Sequence, residues 1–313
     1  MIAHSWWPQH TEHEARGLMA ASFTHGMGGL DRAEPRLAAA LRDLLARPGS
    51  LVRSVTAYQT GVGLGMARDA ARAVACGIEY LHTASLVFDD LPAMDDARTR
   101  RGAACVHITH GESIAMLAAL TLINRGYALL WQGIYQADST RQAAAGQWVD
   151  ARLGIHGVIG GQAADLGGWR AGQSAAEVSA VAARKTGDLL RLTLVLPALL
   201  GHATPREIQL LDRLASLRGL AYQAADDLKD VLWPASASGK SGGRDEALGR
   251  PNLVSAEGFP AAWARFHRLH RAGDRVQAAL PGPPERWEIL QGLRVPAPQT
   301  ITDPGLTRMS AAV

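Results

Sequence analysis

The chain has 313 residues, of which 47% are hydrophobic and 19% charged, and its formal net charge is +3. This length suits one large domain or two small ones, and the composition can bury a sizeable core. The small net charge and the lack of a basic block argue against a nucleic-acid-binding protein. Two cysteines are too few for a disulfide framework and indicate a reduced, cytoplasmic protein.

The sequence indicates neither a signal peptide nor an apolar stretch long enough to cross a membrane. The first residues lack the basic start and the apolar run of a signal peptide. The longest apolar stretches, 113–123 and 189–200, are too short to span a bilayer. We therefore expect no transmembrane segment.

Hydrophobic residues recur with a period near 3.6 along most of the chain, and no convincing alternating strand is visible. This pattern predicts an all-α fold in a single domain, residues 1–313. We expect a loose arm over residues 1–30, a mobile loop over 234–243 and an irregular tail over 281–313. The predicted helices cover residues 35–47, 52–90 with a break near Gly61–Gly65, 111–136, 146–166, 174–200, 205–232 and 258–280.

The first acidic cluster is Asp-Asp-Leu-Pro-Ala-Met-Asp-Asp at residues 89–96, where an apolar helix ends. Pro92 ends that helix and bends the chain, so that Asp89 and Asp95 can converge. Two carboxylates 4 Å apart repel by about 1 kcal/mol in water and about 4 kcal/mol near protein. The cluster therefore needs cations, and ligands that are all oxygen favour a hard ion such as Mg²⁺.

A second acidic cluster, Asp-Asp-Leu-Lys-Asp at residues 226–230, ends another apolar helix. Asp226 and Asp230 lie four residues apart and share one helical face, whereas Asp227 points about 100° away. A single acidic cluster is usually a solvated helix end. Two such clusters indicate instead a site that holds a diphosphate between them.

Basic residues of two kinds accompany the clusters. Arg100 and Arg101 directly follow the first cluster and could clamp two phosphates with bidentate hydrogen bonds. Lysine is rare: the 32 basic residues include three lysines, Lys185, Lys229 and Lys240. Lysine offers a compact point charge on a flexible stem, which arginine does not, so these positions are candidates for a specific role.

These motifs together resemble the trans-isoprenyl diphosphate synthases (the polyprenyl synthetase family), which include farnesyl and geranylgeranyl diphosphate synthases. The first acidic cluster followed by Arg-Arg-Gly resembles their first aspartate-rich motif. Further landmarks follow in the family's order over residues 49–255: Gly160-Gly161-Gln162, Lys185-Thr186, Tyr222-Gln223 before Asp226-Asp227, and Gly239-Lys240. The resemblance implies an isoprenoid-synthase helical bundle with a central active-site cavity.

The resemblance also implies an acidic metal site. Asp89, Asp95 and Asp226 would ligate three Mg²⁺ ions that bridge to an allylic diphosphate. Asp90 and Asp230 would support these ions through water or outer contacts, and Asp227 belongs to the same predicted metal-binding set.

Substrate-binding roles follow from the same resemblance. Arg100, Lys185 and Lys240 would bind the allylic diphosphate. Thr186, Gln223 and the carbonyl of Lys185 would face the allylic cation as the catalytic set. The second substrate, isopentenyl diphosphate, would bind Arg53, His82 and Arg101.

The site for isopentenyl diphosphate departs from the family pattern. The family carries Gly-Gly-Lys-Arg-Leu-Arg-Pro on an early helix, and the matching stretch is Pro48-Gly49-Ser50-Leu51-Val52-Arg53-Ser54. Ser50 thus replaces a phosphate-binding lysine, while Arg53 is retained. A charged hydrogen bond contributes roughly 1.5–3 kcal/mol, so this loss would weaken binding or mark a changed reaction.

Product length in the family depends on bulk just before the first motif. Ala84 and Ser85 occupy those positions and are small, which favours a twenty-carbon product over a fifteen-carbon one. The family also implies a homodimer, with the helix at 111–136 in its interface.

Three functions remain open on this reasoning. The leading interpretation is a Mg²⁺-dependent prenyltransferase making geranylgeranyl or farnesyl diphosphate. The second is a terpene synthase-like lyase on the same scaffold, motivated by Ser50 and opposed by the retained Arg53, His82 and Arg101. The third is a non-catalytic partner subunit of a prenyl synthase, which the complete acidic motifs oppose.

Overall fold

The computed structural model describes residues 12–168, 170, 172–232 and 249–298, and in these residues the fold is almost entirely helical, as predicted. A two-stranded antiparallel hairpin, β1 (Thr99–Arg100) and β2 (Ala103–Ala104), interrupts the helices, and no alternating pattern in the sequence predicts it. A π-helical turn, Ala183–Gly187, joins two helices, and a 3₁₀ helix, Pro284–Leu293, closes the described part of the chain. The α-helices are α1 (Glu12–His25), α2 (Pro35–Leu45), α3 (Val52–Gly63), α4 (Arg68–Asp89), α5 (Val106–His110), α6 (Glu112–Ile134), α7 (Ser139–Leu153), α8 (Val158–Leu166), α9 (Ala175–Ala182), α10 (Asp188–Leu200), α11 (Pro205–Leu232), α12 (Leu253–Glu257) and α13 (Phe259–Ala278).

Most predicted helices are confirmed within a few residues. The break expected near Gly61–Gly65 separates α3 from α4, and α11 covers the predicted span 205–232. The helix predicted at 146–166 is two helices, because α7 begins at Ser139, where Asp138 caps it, and ends before Gly154. The side chain of Asp138 accepts from the backbone N–H of Arg141, which satisfies a donor that the first turn leaves open.

The structure corrects the prediction for the N-terminal segment. Residues 12–25 form α1 rather than part of a loose arm. Met19 and Phe23, one helical turn apart, are buried, and Tyr80 of α4 donates a 2.8 Å hydrogen bond to the carbonyl of Phe23. A narrow apolar stripe therefore holds this helix on the core.

The structure also corrects the prediction for the C-terminal segment. Residues 284–293 of the predicted irregular tail form the 3₁₀ helix, and it buries Trp287, Leu290 and Leu293. The indole N–H of Trp287 donates a 2.8 Å hydrogen bond to the carbonyl of Pro281. The proline-rich composition predicted an irregular tail, although Trp287, Leu290 and Leu293 recur at helical spacing.

The centre of the fold is the pair α4 and α6. A Cβ at Gly77 of α4 would lie 2.8 Å from the carbonyl oxygen of Gly126 in α6. The two backbones therefore pack in direct contact, which only glycine permits at these positions. α3 and α10 add to the same core around α4, whose last residue is Asp89. Tight packing fixes the axis of α4 and hence the position of the first acidic cluster.

Of the helices in the described ranges, α6 alone is long and apolar enough to cross a membrane by length and composition. The stretch 113–123 considered from the sequence is only part of it. One side of α6 is buried in the core, including Ala115, Ala118 and Leu122.

Candidate active site

The first acidic cluster folds back on itself after α4. The backbone N–H of Asp95 donates to the carbonyl of Asp89 at 2.9 Å, and that of Ala97 donates to the carbonyl of Asp90 at 3.1 Å. The bend at Pro92 therefore brings Asp95 beside Asp89. Burial raises the pKa of Asp89 to about 6, the charge of Lys185 opposes the rise, and Asp95 adds to it.

Asp90 faces the protein interior and is bound to Arg100. The carboxylate is buried, and Arg100 Nε lies 2.8 Å from both of its oxygens. Burial tends to lower the pKa of Arg100, but the hydrogen bonds and charge of Asp90 raise it overall. The β1–β2 hairpin thus holds Arg100 next to the acidic cluster, in a pair that fixes both side chains.

Lys185 comes from the π-helical turn and lies on the same side as Asp89. Its Nζ is 2.5 Å from Asp165 Oδ2 of α8. Burial tends to lower the pKa of Lys185, but the charges of Asp165 and Asp89 raise it overall, so it is a cation. π-helical turns occur frequently at functional sites.

The Gly160-Gly161-Gln162 motif positions α8 against this turn. A Cβ at Gly161 would lie 2.3 Å from the backbone nitrogen of Lys185, so any larger residue would push the turn away. Gln162 Nε2 then donates to Asp89 Oδ1 at 2.9 Å. The motif therefore links Lys185 and Asp89 through one short helix.

The second acidic cluster separates into different environments. Asp226 is exposed and Asp230 is half-buried, whereas Asp227 is buried. Asp227 accepts from Gln223 Nε2 and from the backbone N–H of Leu253, each at 2.8 Å. Because both oxygens of Asp227 bind protein groups, its contacts do not support the predicted role as a metal ligand.

Thr186 and Gln223, both predicted to face the allylic cation, are in contact with each other. Thr186 Oγ1 donates to Gln223 Oε1 at 3.1 Å, and Gln223 in turn donates to Asp227. The side chains of the π-helical turn and α11 are thereby joined in one hydrogen-bonded chain that leads to α12.

Arg250 is a candidate that the sequence analysis missed. It is buried and donates to Asp95 Oδ1 at 3.0 Å and to the carbonyl of Met94 at 2.9 Å. These partners are about 155 residues away in the chain. No local motif signals such a contact.

A second, arginine-rich region lies beside the preceding turns of α4 and includes Arg53 of α3. Arg53 Nη1 is 3.1 Å from His82 Nε2, and Glu79 accepts from the backbone N–H of Ser54 at 3.1 Å. Burial, together with the charges of Arg53 and Arg101, lowers the pKa of His82 well below its usual value. The three residues predicted to bind the second substrate are therefore neighbours.

Some predicted site residues are not brought together or are not described. Within residues 12–168, 170, 172–232 and 249–298, no three Asp, Glu, His or Cys side chains are close enough to form a metal centre by themselves. Lys240 and the loop 234–243 lie outside these ranges. Ala84 is fully buried in the core, whereas Ser85 is half-buried and donates to the carbonyl of His82 at 2.8 Å.

Comparison with known proteins agrees with this geometry. Residues 34–269 match the family model described as Polyprenyl synthetase. The chain belongs to the polyprenyl synthetase family. It is 34% identical over 260 residues to the geranylgeranyl diphosphate synthase of Cereibacter sphaeroides, which covers 82% of this chain and 85% of that protein. It is 33% identical over 217 residues to the farnesyl diphosphate synthase of Escherichia coli, with 68% of this chain and 72% of that protein covered.

A solved structure shares the fold of this polyprenyl synthetase family member. The geranyltransferase from Helicobacter pylori, complexed with magnesium and isoprenyl diphosphate, superposes with a TM-score of 0.79 at 22% identity. The match covers 94% of this chain and 97% of that chain. Family, fold and relatives identify the chain as a trans-prenyltransferase.

Proposed function

We propose that this trans-prenyltransferase condenses isopentenyl diphosphate with an allylic diphosphate to give a short trans-prenyl diphosphate of twenty or fifteen carbons. The observation that carries the proposal is the presence of two regions along α4. The acidic region at Asp89 suits a metal-bound diphosphate, and the arginine-rich region around His82 suits a second one. A lyase that ionises a single diphosphate has no use for the second region.

The residues of the acidic region fit Mg²⁺. The candidate metal-ligand atoms are all oxygens. Burial raises the pKa of Asp89 to about 6, so a nearby cation would stabilise its ionised form. Asp89, Asp95 and Asp226 would hold three ions, with Asp90 and Asp230 in support. Since few carboxylates converge, each ion would take other ligands from diphosphate and water, as Mg²⁺ commonly does. When bound, the ions would neutralise charge on the leaving diphosphate.

The protein's own groups would bind and shield the reacting atoms. Lys185 and Arg100 would donate to the allylic diphosphate, and Lys240 belongs to the same proposed set. As the allylic C–O bond breaks, the oxygens of Thr186, Gln223 and the Lys185 carbonyl would face the cation. The alkene of isopentenyl diphosphate then forms the new C–C bond, and the proton lost from the adduct passes to the departing pyrophosphate. Apolar walls would keep water from the cation.

The decisive experiment is a product assay. Purified protein with Mg²⁺ would be given dimethylallyl, geranyl, farnesyl or geranylgeranyl diphosphate, each with and without isopentenyl diphosphate, and products would be read by mass spectrometry. We expect longer diphosphates only when isopentenyl diphosphate is present. Hydrocarbons or alcohols without it would establish the lyase, and no turnover of any substrate would favour the partner-subunit function.

We also propose a cytoplasmic homodimer. The side of α6 away from the core exposes Met116, Leu117 and Leu120, with Leu120 56% exposed. Trp131 and Tyr135 continue the exposed apolar surface at the end of this helix, with ring centroids 6.0 Å apart. An exposed apolar face of this kind suits a second copy of the chain.

A further inference from the structure

An arginine from the N-terminal helix contacts the turn that leads into α3. Arg16 Nη1 donates to the carbonyl of Ser50, and its Nη2 lies 3.1 Å from Glu12 Oε1. Ala15 and Met19 of the same helix are fully buried. The helix α1 is therefore packed on the core, and the side chain of Arg16 is held beside Ser50.

A second arginine lies over the same turn. A Cβ at Gly49 would come within 2.2 Å of Arg101 Nη1, so the guanidinium of Arg101 occupies the space that a side chain would need. Gly49 also has a φ of 72°, which disfavours other residues. The turn at Gly49–Ser50 is thus contacted by Arg16 and by Arg101.

Arg53 adds a third guanidinium group to this turn, since it follows Ser50 by three residues, and its Nη1 lies 3.1 Å from Nε2 of His82. Burial and the charges of Arg100 and Arg53 lower the pKa of Arg101, although Glu79 opposes this.

The acids near these guanidinium groups are insufficient to balance them. Glu79 is buried and interacts with Arg53 and Arg101. Glu12 is exposed, and an exposed pair with Arg16 contributes little. Among the described residues, three guanidinium groups therefore face two carboxylates, one of which is solvated. An anion with several oxygens, such as a diphosphate, is the ligand that this arrangement favours.

We propose that Arg16 binds the diphosphate of isopentenyl diphosphate and supplies, from α1, the cation that Ser50 does not provide. This inference rests on the proposed function, because that function names the ligand. The guanidinium fork suits two phosphate oxygens, and Arg16 would exchange its contact with the Ser50 carbonyl or Glu12 for them.

The test compares Arg16→Gln with a matched control, Arg36→Gln, an exposed arginine of α2 paired with Glu34. Loss of one charged phosphate contact should raise the KM for isopentenyl diphosphate about tenfold or more and leave the KM for the allylic substrate unchanged. Adding Ser50→Lys to Arg16→Gln should restore the KM. The control should match the wild-type protein.

A purely structural role for Arg16 would give a different result. Arg16→Gln would then lower the melting temperature without a selective change in the KM for isopentenyl diphosphate, which would overturn the inference. Arg16→Lys retains the charge and serves if Arg16→Gln folds poorly; a KM below that of Arg16→Gln supports the proposal, and an equal one opposes it.

Direct binding separates this inference from the proposed function. Calorimetric titration of wild-type and Arg16→Gln protein with isopentenyl diphosphate alone requires no turnover. Weaker binding by the variant supports the role of Arg16 even if no condensation occurs. Equal binding by both proteins overturns it even if condensation is observed.

Discussion

At the scale of single residues, adjacent and chemically identical side chains differ in what they contact. Asp226 is exposed at the proposed metal site, whereas Asp227 accepts two hydrogen bonds in the interior. The sequence indicates the acidic cluster but does not distinguish its members, because the partner of Asp227 is the distant backbone of Leu253. Asp90 also differs from Asp89, because Asp90 is buried and bound by Arg100.

This difference gives a paired prediction. Asp226→Asn should remove nearly all turnover and leave the melting temperature unchanged, because that carboxylate is exposed. Asp227→Asn should destabilise the fold by about 1–3 kcal/mol, since a buried acceptor network is weakened. Initial rates and chemical unfolding of both variants provide the measurement. Equal effects on stability would contradict the assignment.

Backbone strain is concentrated beside both proposed substrate regions. The non-glycine residues with positive φ among those described are Leu51, Asp96 and Arg101, at 55°, 48° and 53°. Each such residue costs of the order of 1–2 kcal/mol, and strain of this kind clusters at functional sites. The hydrophobic pattern of the sequence carries no information about it.

At the scale of elements, the π-helical turn depends on close packing with α8. Gly161→Ala would place a methyl group 2.3 Å from the nitrogen of Lys185, so the turn must shift. Because a displacement of about 1 Å can reduce a rate 10²-fold, we expect a loss of that order. Gly63→Ala is the control, since no atom lies within 4 Å of its Cβ. Unchanged kcat in Gly161→Ala would show that the turn adapts.

The position of α4 in the core changes how product length should be tested. Ala84 is fully buried, so Ala84→Phe would overpack the core and destabilise the fold by about 1–3 kcal/mol. Ser85 is only half-buried, and Ser85→Phe should shorten the product while the fold remains intact. Mass spectrometry of the prenyl diphosphates measures this. An unchanged product would place the limit of the chain on another helix.

The elements that sequence reasoning missed share a physical cause. α1 and the 3₁₀ helix have narrow apolar stripes, and their stability comes from distant partners such as Tyr80. The long helix α11 is predicted correctly, because its buried apolar residues, among them Leu210, Leu211 and Leu214, recur at helical spacing. Arg250 and Arg16 act across about 155 and 34 residues of chain, beyond the reach of any local motif.

At the scale of the whole molecule, the exposed side of α6 should control assembly. Leu120→Glu would place a charge in the proposed interface and should convert the dimer to a monomer in analytical ultracentrifugation. Ile155→Glu changes an apolar residue that is 75% exposed outside α6 and should leave the dimer intact. A dimer that survives Leu120→Glu would argue against this interface.

Stability of the whole fold should depend on pH through His270. This side chain is buried against Phe266, with ring centroids 4.4 Å apart, and burial together with Arg294 and Arg218 lowers its pKa from 6.5 to about 4. Between these values the unfolded chain binds the extra proton, so stability falls as pH decreases from 6.5 to 4, by up to about 3 kcal/mol. Urea unfolding at several pH values measures this.

Replacement of the imidazole provides the control. His270→Phe removes the titrating group and should flatten the dependence between pH 6.5 and 4. His25→Gln, which changes an exposed histidine at the end of α1, should retain it. A slope that persists in His270→Phe would assign the effect to other groups.

The continuous helix α4 also determines the distance between its His82 and Asp89 regions. His82 and Asp89 are seven residues apart, which corresponds to about 10 Å along the axis and nearly two full turns, so the two regions share one face. One extra residue between them would turn the second region by about 100°. The proposed separation of the two diphosphates, and with it the meeting of the carbons that join, therefore depends on the pitch of this buried helix.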